Sequence, residues 1–234
     1  MSAGKKTIGR SKQELYQYFN AMQYHLKISK DSRIRLDKEL ASSFSVFDYI
    51  SDRETMLSRI LADLLNPEGK HGQGKLFINK FLTMLQKKPE SLTGKLTVTL
   101  EKPTYHLENF NRRIDIHLSW DNFGIGIENK PWAYEQEDQL KDYEEQLNKE
   151  FHGNYILIFL CASGRKPESI ANWDQLVMQG KSKTIFFFPD LYNWLLDCRQ
   201  ECEADKIRHF LKDFSFFIEQ HLIGNHSLER KRND

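Results

Sequence analysis

The sequence predicts an α/β fold: a central mixed β-sheet flanked by helices. Three observations predict it. Apolar residues recur at helical spacing near both ends of the 234-residue chain. Between residues 95 and 130, "KLTVTLEK", "RRIDIHLSW" and "GIGIENK" read as successive strands joined by turns, a hairpin or meander pattern. "YILIFL" (155–160) and "KTIFFFP" (183–189) are continuous apolar runs, as expected of strands covered on both faces. The sheet therefore starts antiparallel and is crossed by a helix over 135–150.

The elements follow in order. Residues 1–10 are polar and expected to be disordered. "SKQE" (11–14) has the spacing of a capping box, and Leu15, Tyr18, Phe19, Met22 and Leu26 then mark an amphipathic helix over 12–28. A shorter helix is expected over 31–42. Leu57, Ile60, Leu61, Leu64 and Leu65 form the apolar stripe of a helix over 52–66, which Asn66-Pro67 ends. "EGKHGQG" (68–74) is a Gly-rich loop leading to a helix over 75–86. After the sheet, helices are expected over 190–200 and 203–222, the second with a stripe from Ile207 through Phe210, Leu211, Phe214, Phe217 and Ile218 to Leu222. "LERKRND" and the rest of 225–234 are expected to be disordered. The chain reads as one domain, 1–234, with N-terminal helices (11–50), a core (51–190) and C-terminal helices (191–223).

The bulk numbers narrow the function classes. A formal net charge of +1 gives no support for a strongly basic coat, although a local basic groove suffices for phosphate contacts. Cys161, Cys198 and Cys202 are odd in number and lack a paired zinc spacing, so reduced, buried thiols in a cytoplasmic protein are expected. No apolar run reaches the ~18 residues of a membrane span. The Gly-rich loop lacks the GxxxxGK[ST] spacing, which argues against nucleotide hydrolysis.

The ionisable groups inside the strands carry the chemistry. Glu128 and Lys130 lie two apart, so they share a face, and Asn129 points the other way. A short turn near 121–123 brings Asp115 opposite Glu128, provided the register does not slip. Glu54, on the flank of the 52–66 stripe with Ser58 one turn on, is an acid on the inward side of a helix and needs a partner. Any one of these charges alone reads best as an ion pair, Lys130 with Glu128 or Arg113 with Asp115. Together they do not. Two carboxylates ~4 Å apart repel by about 4 kcal/mol at an effective dielectric of ~20, and one lysine cannot compensate three acids. A divalent cation can, and an oxygen-only ligand set suits Mg²⁺ or Mn²⁺ rather than zinc.

Asp115 followed by Glu128-Asn129-Lys130 resembles the PD-(D/E)XK nuclease signature, with Ile in place of Pro. "ETMLSRILADLLNP", "KHGQG" and "EQEDQLKDYEEQL" resemble one branch of that superfamily, a set of mostly uncharacterised bacterial and phage proteins. The resemblance covers about residues 44–160. It implies a restriction-endonuclease-like core and a Mg²⁺-dependent phosphodiesterase acting on nucleic acid, with DNA the expected substrate and Mn²⁺ able to substitute. It further implies Asp115 and Glu128 as metal ligands, Lys130 as the cation beside the attacking water, Glu54 as the helical acid completing the metal site, and Gln139 as a support. A defence, repair or mobile-element role follows by analogy alone.

Other residues are weighed beside it. Lys70 and His71 in the Gly-rich loop are candidate substrate contacts, against a plain inter-helix turn. Tyr143 is a further candidate, against burial with Leu140 and Leu147. Trp132 and Tyr134 offer faces for an unpaired base, against core packing. A homodimer is expected if both strands are cut, and a helicase or other partner could supply targeting. The alternative function is a nuclease-like nucleic-acid-binding or assembly module without turnover.

Overall fold

The structure, a computed structural model, describes residues 15–32, 46–49, 54–107, 112–132, 134–162 and 164–223. The chain divides into two units, Met1–Asp48 and Tyr49–Asp234. In the first, residues 15–32 are continuously helical (α1), so no break separates 28 from 31. A 3₁₀ turn follows at Val46–Asp48. The capping box at 11–14, residues 33–42 of the expected second helix, and the segments 1–10 and 225–234 lie outside the described residues.

The second unit holds a five-stranded sheet in the order β1 (Thr97–Pro103), β2 (Arg113–Ser119), β3 (Gly124–Lys130), β4 (Tyr155–Cys161) and β5 (Ser182–Phe186). β1, β2 and β3 pair antiparallel; β3, β4 and β5 pair parallel. The sheet is therefore mixed with an antiparallel start, as the sequence predicts. The Asp121-Asn122 turn is closed by Trp120 N–H donating to Phe123 O at 2.9 Å. β3 and β4 are buried at every position, which is why their sequences are continuously apolar apart from Glu128, Asn129 and Lys130.

The helices are α2 (Glu54–Leu65), α3 (Leu76–Met84), α4 (Gln139–Phe151), α5 (Trp173–Met178), α6 (Tyr192–Glu201) and α7 (Asp205–Ile218). α4 makes the crossover from β3 to β4. It seats against β3 because two glycines leave room: a methyl group at Gly124 would overlap the Phe151 ring, and one at Gly126 would lie 2.9 Å from Leu147 Cδ1. α2 presents Leu57, Leu61, Leu64 and Leu65, all at most 3 % exposed. α3 and α6 meet through Phe81 and Trp194, edge to face at 5.7 Å, with Trp194 Nε1–H donating to Phe77 O.

Three elements depart from expectation. α4 starts at Gln139, not 135, because tertiary bonds hold the preceding loop in non-helical form. Arg112 donates to Gln136 Oε1 and Glu137 O, the Glu135 carboxylate accepts from the N–H groups of Glu168 and Ser169, and Asp138 is left-handed at φ 56°. The "KTIFFFP" run leaves the sheet at Phe186, the last residue of β5, whose N–H donates to Asp190 Oδ2, and a kinked segment over Phe187–Leu191, with Phe188 extended, leads into α6. α5 is a short helix that the sequence reading did not assign; it buries Trp173 and Leu176.

Candidate active site

The site is built on the Glu-Asn-Lys end of β3. Glu128 is wholly buried and faces α4. Its Oε1 accepts a hydrogen bond from Gln139 Nε2 at 2.7 Å and lies 2.8 Å from Lys130 Nζ. Gln139 is itself fixed: its Oε1 accepts from Gln136 N–H, and its Nε2 also donates to the Tyr143 hydroxyl, which donates to Arg113 O.

The β2–β3 ladder runs to Ile116↔Ile127, and one step further stands Asp115 beside Glu128. There Asp115 Oδ2 accepts the Asn129 N–H at 2.8 Å in place of a backbone carbonyl. Glu54, the first residue of α2, brings its Oε2 to 3.3 Å from Lys130 Nζ. Asp115, Glu128, Lys130, Glu54 and Gln139 are thus brought together at one end of the sheet.

The electrostatics follow from burial. Desolvation, with the neighbouring Asp115 charge adding to it, pushes the Glu128 carboxyl up to about 8. Desolvation also raises Asp115 to about 6, although the Asn129 N–H works against it. For Lys130, burial pulls the ammonium pKa down, but Glu128, Glu54 and Asp115 outweigh it and the net direction is upward. The cluster therefore combines a charged lysine with acids that hold protons longer than free carboxylates.

The remaining candidates lie elsewhere. His71 is 3 % exposed and occupied inside its own loop: Nε2 bonds Asn66 O at 2.8 Å, and Nδ1 accepts Gln73 N–H. Its ring packs at a tilt against Phe77. Lys70 is exposed on that loop, at the far end of α2 from Glu54, about 16 Å along the axis at 1.5 Å per residue. Neither belongs to the acid cluster, and His71 braces its own loop. Tyr143 is 1 % exposed with its hydroxyl doubly engaged, and it supports Gln139. A cavity of about 670 Å³ opens beside Trp120, Lys75 and Lys95, at the other end of β2 from Asp115, and takes no part in the site.

Sequence reasoning missed several supports. Asn129 Nδ2 donates to Glu54 O and to Ser58 Oγ; the two-residue period that turned Asn129 away from Glu128, and the Glu54–Ser58 spacing, were the available signals. Arg112 grips Asp142 at 3.0 Å as well as the loop before α4. Arg165 donates to Lys130 O at 3.2 Å, and its guanidinium lies over the rings of Tyr134 and Phe159. No local pattern announces either arginine, because their partners are distant in sequence.

The donor set fits a hard divalent cation. Glu54 Oε1 and Glu128 Oε2 are buried with no hydrogen-bond partner, and carboxylate oxygens are the donors such an ion takes. Among the described residues no group of three His, Cys, Asp or Glu side chains is placed to hold a metal ion, and the Lys130 ammonium lies against both Glu54 and Glu128.

A family model for the PD-(D/E)XK nuclease superfamily matches residues 43–215, well over half the chain, and spans all five clustered residues. The chain belongs to the PD-(D/E)XK nuclease superfamily. No curated protein and no solved structure matches it. Nucleases of this superfamily generally use divalent metal ions. Among the described residues no helix is long and apolar enough to cross a membrane.

Proposed function

We propose that this chain is a Mg²⁺-dependent nuclease that hydrolyses phosphodiester bonds in DNA, with Mn²⁺ able to substitute. The observation that carries this reading is the convergence of Asp115, Glu128, Lys130 and Glu54 at one end of β2 and β3. Asp115, Glu128 and Glu54 would hold the cation. When bound, it screens the anionic phosphate and lowers the pKa of water in its shell. Gln139 positions the Glu128 carboxylate. Lys130, whose ammonium lies among these acids, would present a positive charge to the attacking water and to the charge that develops on the phosphate.

Nucleic acid as the substrate class draws support from the rim. Tyr134 is 81 % exposed, and the Arg165 guanidinium lies 5.4 Å from its ring centroid while bonded to the Lys130 carbonyl. An aromatic face and a positive charge beside the catalytic lysine suit a base and its phosphate. The test is cleavage of circular and linear DNA, and of RNA, with and without Mg²⁺ or Mn²⁺, alongside Lys130→Ala. Metal-dependent cutting that the variant lacks is the expected result. Equal cutting by a clean Lys130→Ala preparation would sink the assignment. Metal binding with no cleavage of any nucleic acid would make the chain a binding module instead.

A further inference from the structure

We propose that Asn129 and Ser58 form a lock that fixes Glu54 against Lys130 and Glu128, and so sets the site's affinity for a divalent cation. The proposal rests on the metal-site reading above. Asn129 is wholly buried and uses both amide protons: one goes to Glu54 O at 3.1 Å, the other to Ser58 Oγ at 2.9 Å. Ser58 Oγ in turn donates to Glu54 O at 3.0 Å, closing a triangle. The backbone of Glu54 is thereby tied to the β3 residue that lies between Glu128 and Lys130. A glutamate side chain has three rotatable bonds, so the placing of its backbone decides which atoms its carboxylate can reach.

Stability alone does not account for this lock. α2 is already docked by Leu57, Leu61, Leu64 and Leu65, which are almost fully buried. Asn129 Oδ1, by contrast, is buried with no partner. An orphaned acceptor carries a desolvation penalty that an apolar side chain of similar shape would not. The amide cannot simply be reversed, because Glu54 O only accepts and needs the Nδ2 donor. What the amide supplies is register: it sets where the first turn of α2 stands along β3. Asn129 and Ser58 are therefore positioning residues that act through Glu54.

The test measures Mn²⁺ affinity by calorimetry well below the unfolding temperature, where a purely structural defect leaves the folded protein's affinity unchanged. The proteins are wild type, Glu54→Gln, Asn129→Ala, Ser58→Ala and the Asn129→Ala/Glu54→Gln double variant. Loss of an outer support weakens a metal site by roughly tenfold or more, and that loss is expected for Asn129→Ala, with Ser58→Ala following in the same direction. Once Glu54 is neutral the lock has nothing left to aim, so the double variant should bind no more weakly than Glu54→Gln alone. Full affinity in both Asn129→Ala and Ser58→Ala overturns the lock while leaving the metal site standing. So does a double variant whose losses multiply. If Asn129→Ala does not fold, Ser58→Ala decides by itself. Absence of Mn²⁺ binding in the wild type overturns the metal-site reading and the lock together.

Discussion

Lys130 stands where two roles meet. Its ammonium is 2.8 Å from Glu128 and 3.3 Å from Glu54, so without a metal it is the internal counterion of the acids. Two consequences separate. Lys130→Ala should lower DNA cleavage by about a hundredfold or more, the scale seen when one charge stabiliser is removed from a reaction centre. The same substitution should enlarge the rise in melting temperature produced by Mn²⁺, because acids stripped of their lysine gain more from the ion; melts with and without Mn²⁺ check this. A vanished Mn²⁺ effect would mean that Lys130 shapes the acids instead of competing for them. His117 makes a second point at this scale. It is 1 % exposed on β2, stacked on Phe151 of α4, with Glu150 of α4 at 3.7 Å and Lys102 of β1 beside Glu150. Desolvation lowers its pKa from 6.5 to about 4 despite Glu150. The unfolded chain therefore binds a proton that the folded chain refuses between those values. Stability is full above pH 6.5 and is lost as pH falls toward 4, by roughly 3 kcal/mol at ~1.4 kcal/mol per pH unit. Urea unfolding from pH 4 to 8 should show this slope, and His117→Asn should flatten it. An unchanged slope in the variant would assign the acid sensitivity to other groups.

Among the elements, β3 and α4 bear most directly on the site. The "GIG" of β3 is a bed for α4, since the Phe151 ring occupies the place of a side chain at Gly124. Gly124→Ala should destabilise the protein by about 1–3 kcal/mol through overpacking, measured as a lower urea midpoint at unchanged slope. A neutral Gly124→Ala would show that α4 can shift without cost. The strands were legible because each is written in local terms: a period of two, an Asp-Asn turn, or an unbroken apolar run. Pairing Asp115 with Glu128 needed only the turn and the alternation. The start of α4 was not legible, because "EQED" carries helix-compatible residues that Arg112, Glu168 and Ser169 hold in another shape. The partners lie 24 or more residues away in sequence, beyond any local pattern. The "KHGQG" loop left two readings open, a phosphate contact and a plain inter-helix turn. The imidazole uses both nitrogens bracing the turn itself, a role its position after Lys70 does not announce.

At the scale of the whole molecule, charge is the informative quantity. With a net charge of +1, the chain cannot hold nucleic acid by a general field. Binding must rest on a few local cations, of which Arg165 and Lys130 border the site. The salt dependence of DNA affinity should then be shallow, with a log–log slope of about −2 to −4, corresponding to a handful of phosphate contacts. Fluorescence titration at several salt concentrations checks it, and a slope near −8 would demand a basic surface that lies elsewhere. Arg165→Ala should reduce the slope by about one.

The Glu-Asn-Lys tripeptide touches helices on both faces of the sheet: Asn129 reaches α2, and Glu128 reaches Gln139 of α4. The acid cluster is thus an inventory drawn from separate stretches of chain, Glu54 early, Gln139 late. A partly synthesised chain that has made α2 and the first three strands lacks the residue that anchors Glu128. Glu128 gains its Gln139 partner only when α4 has crossed the sheet, so the cluster is the last part of this end of the sheet to be completed.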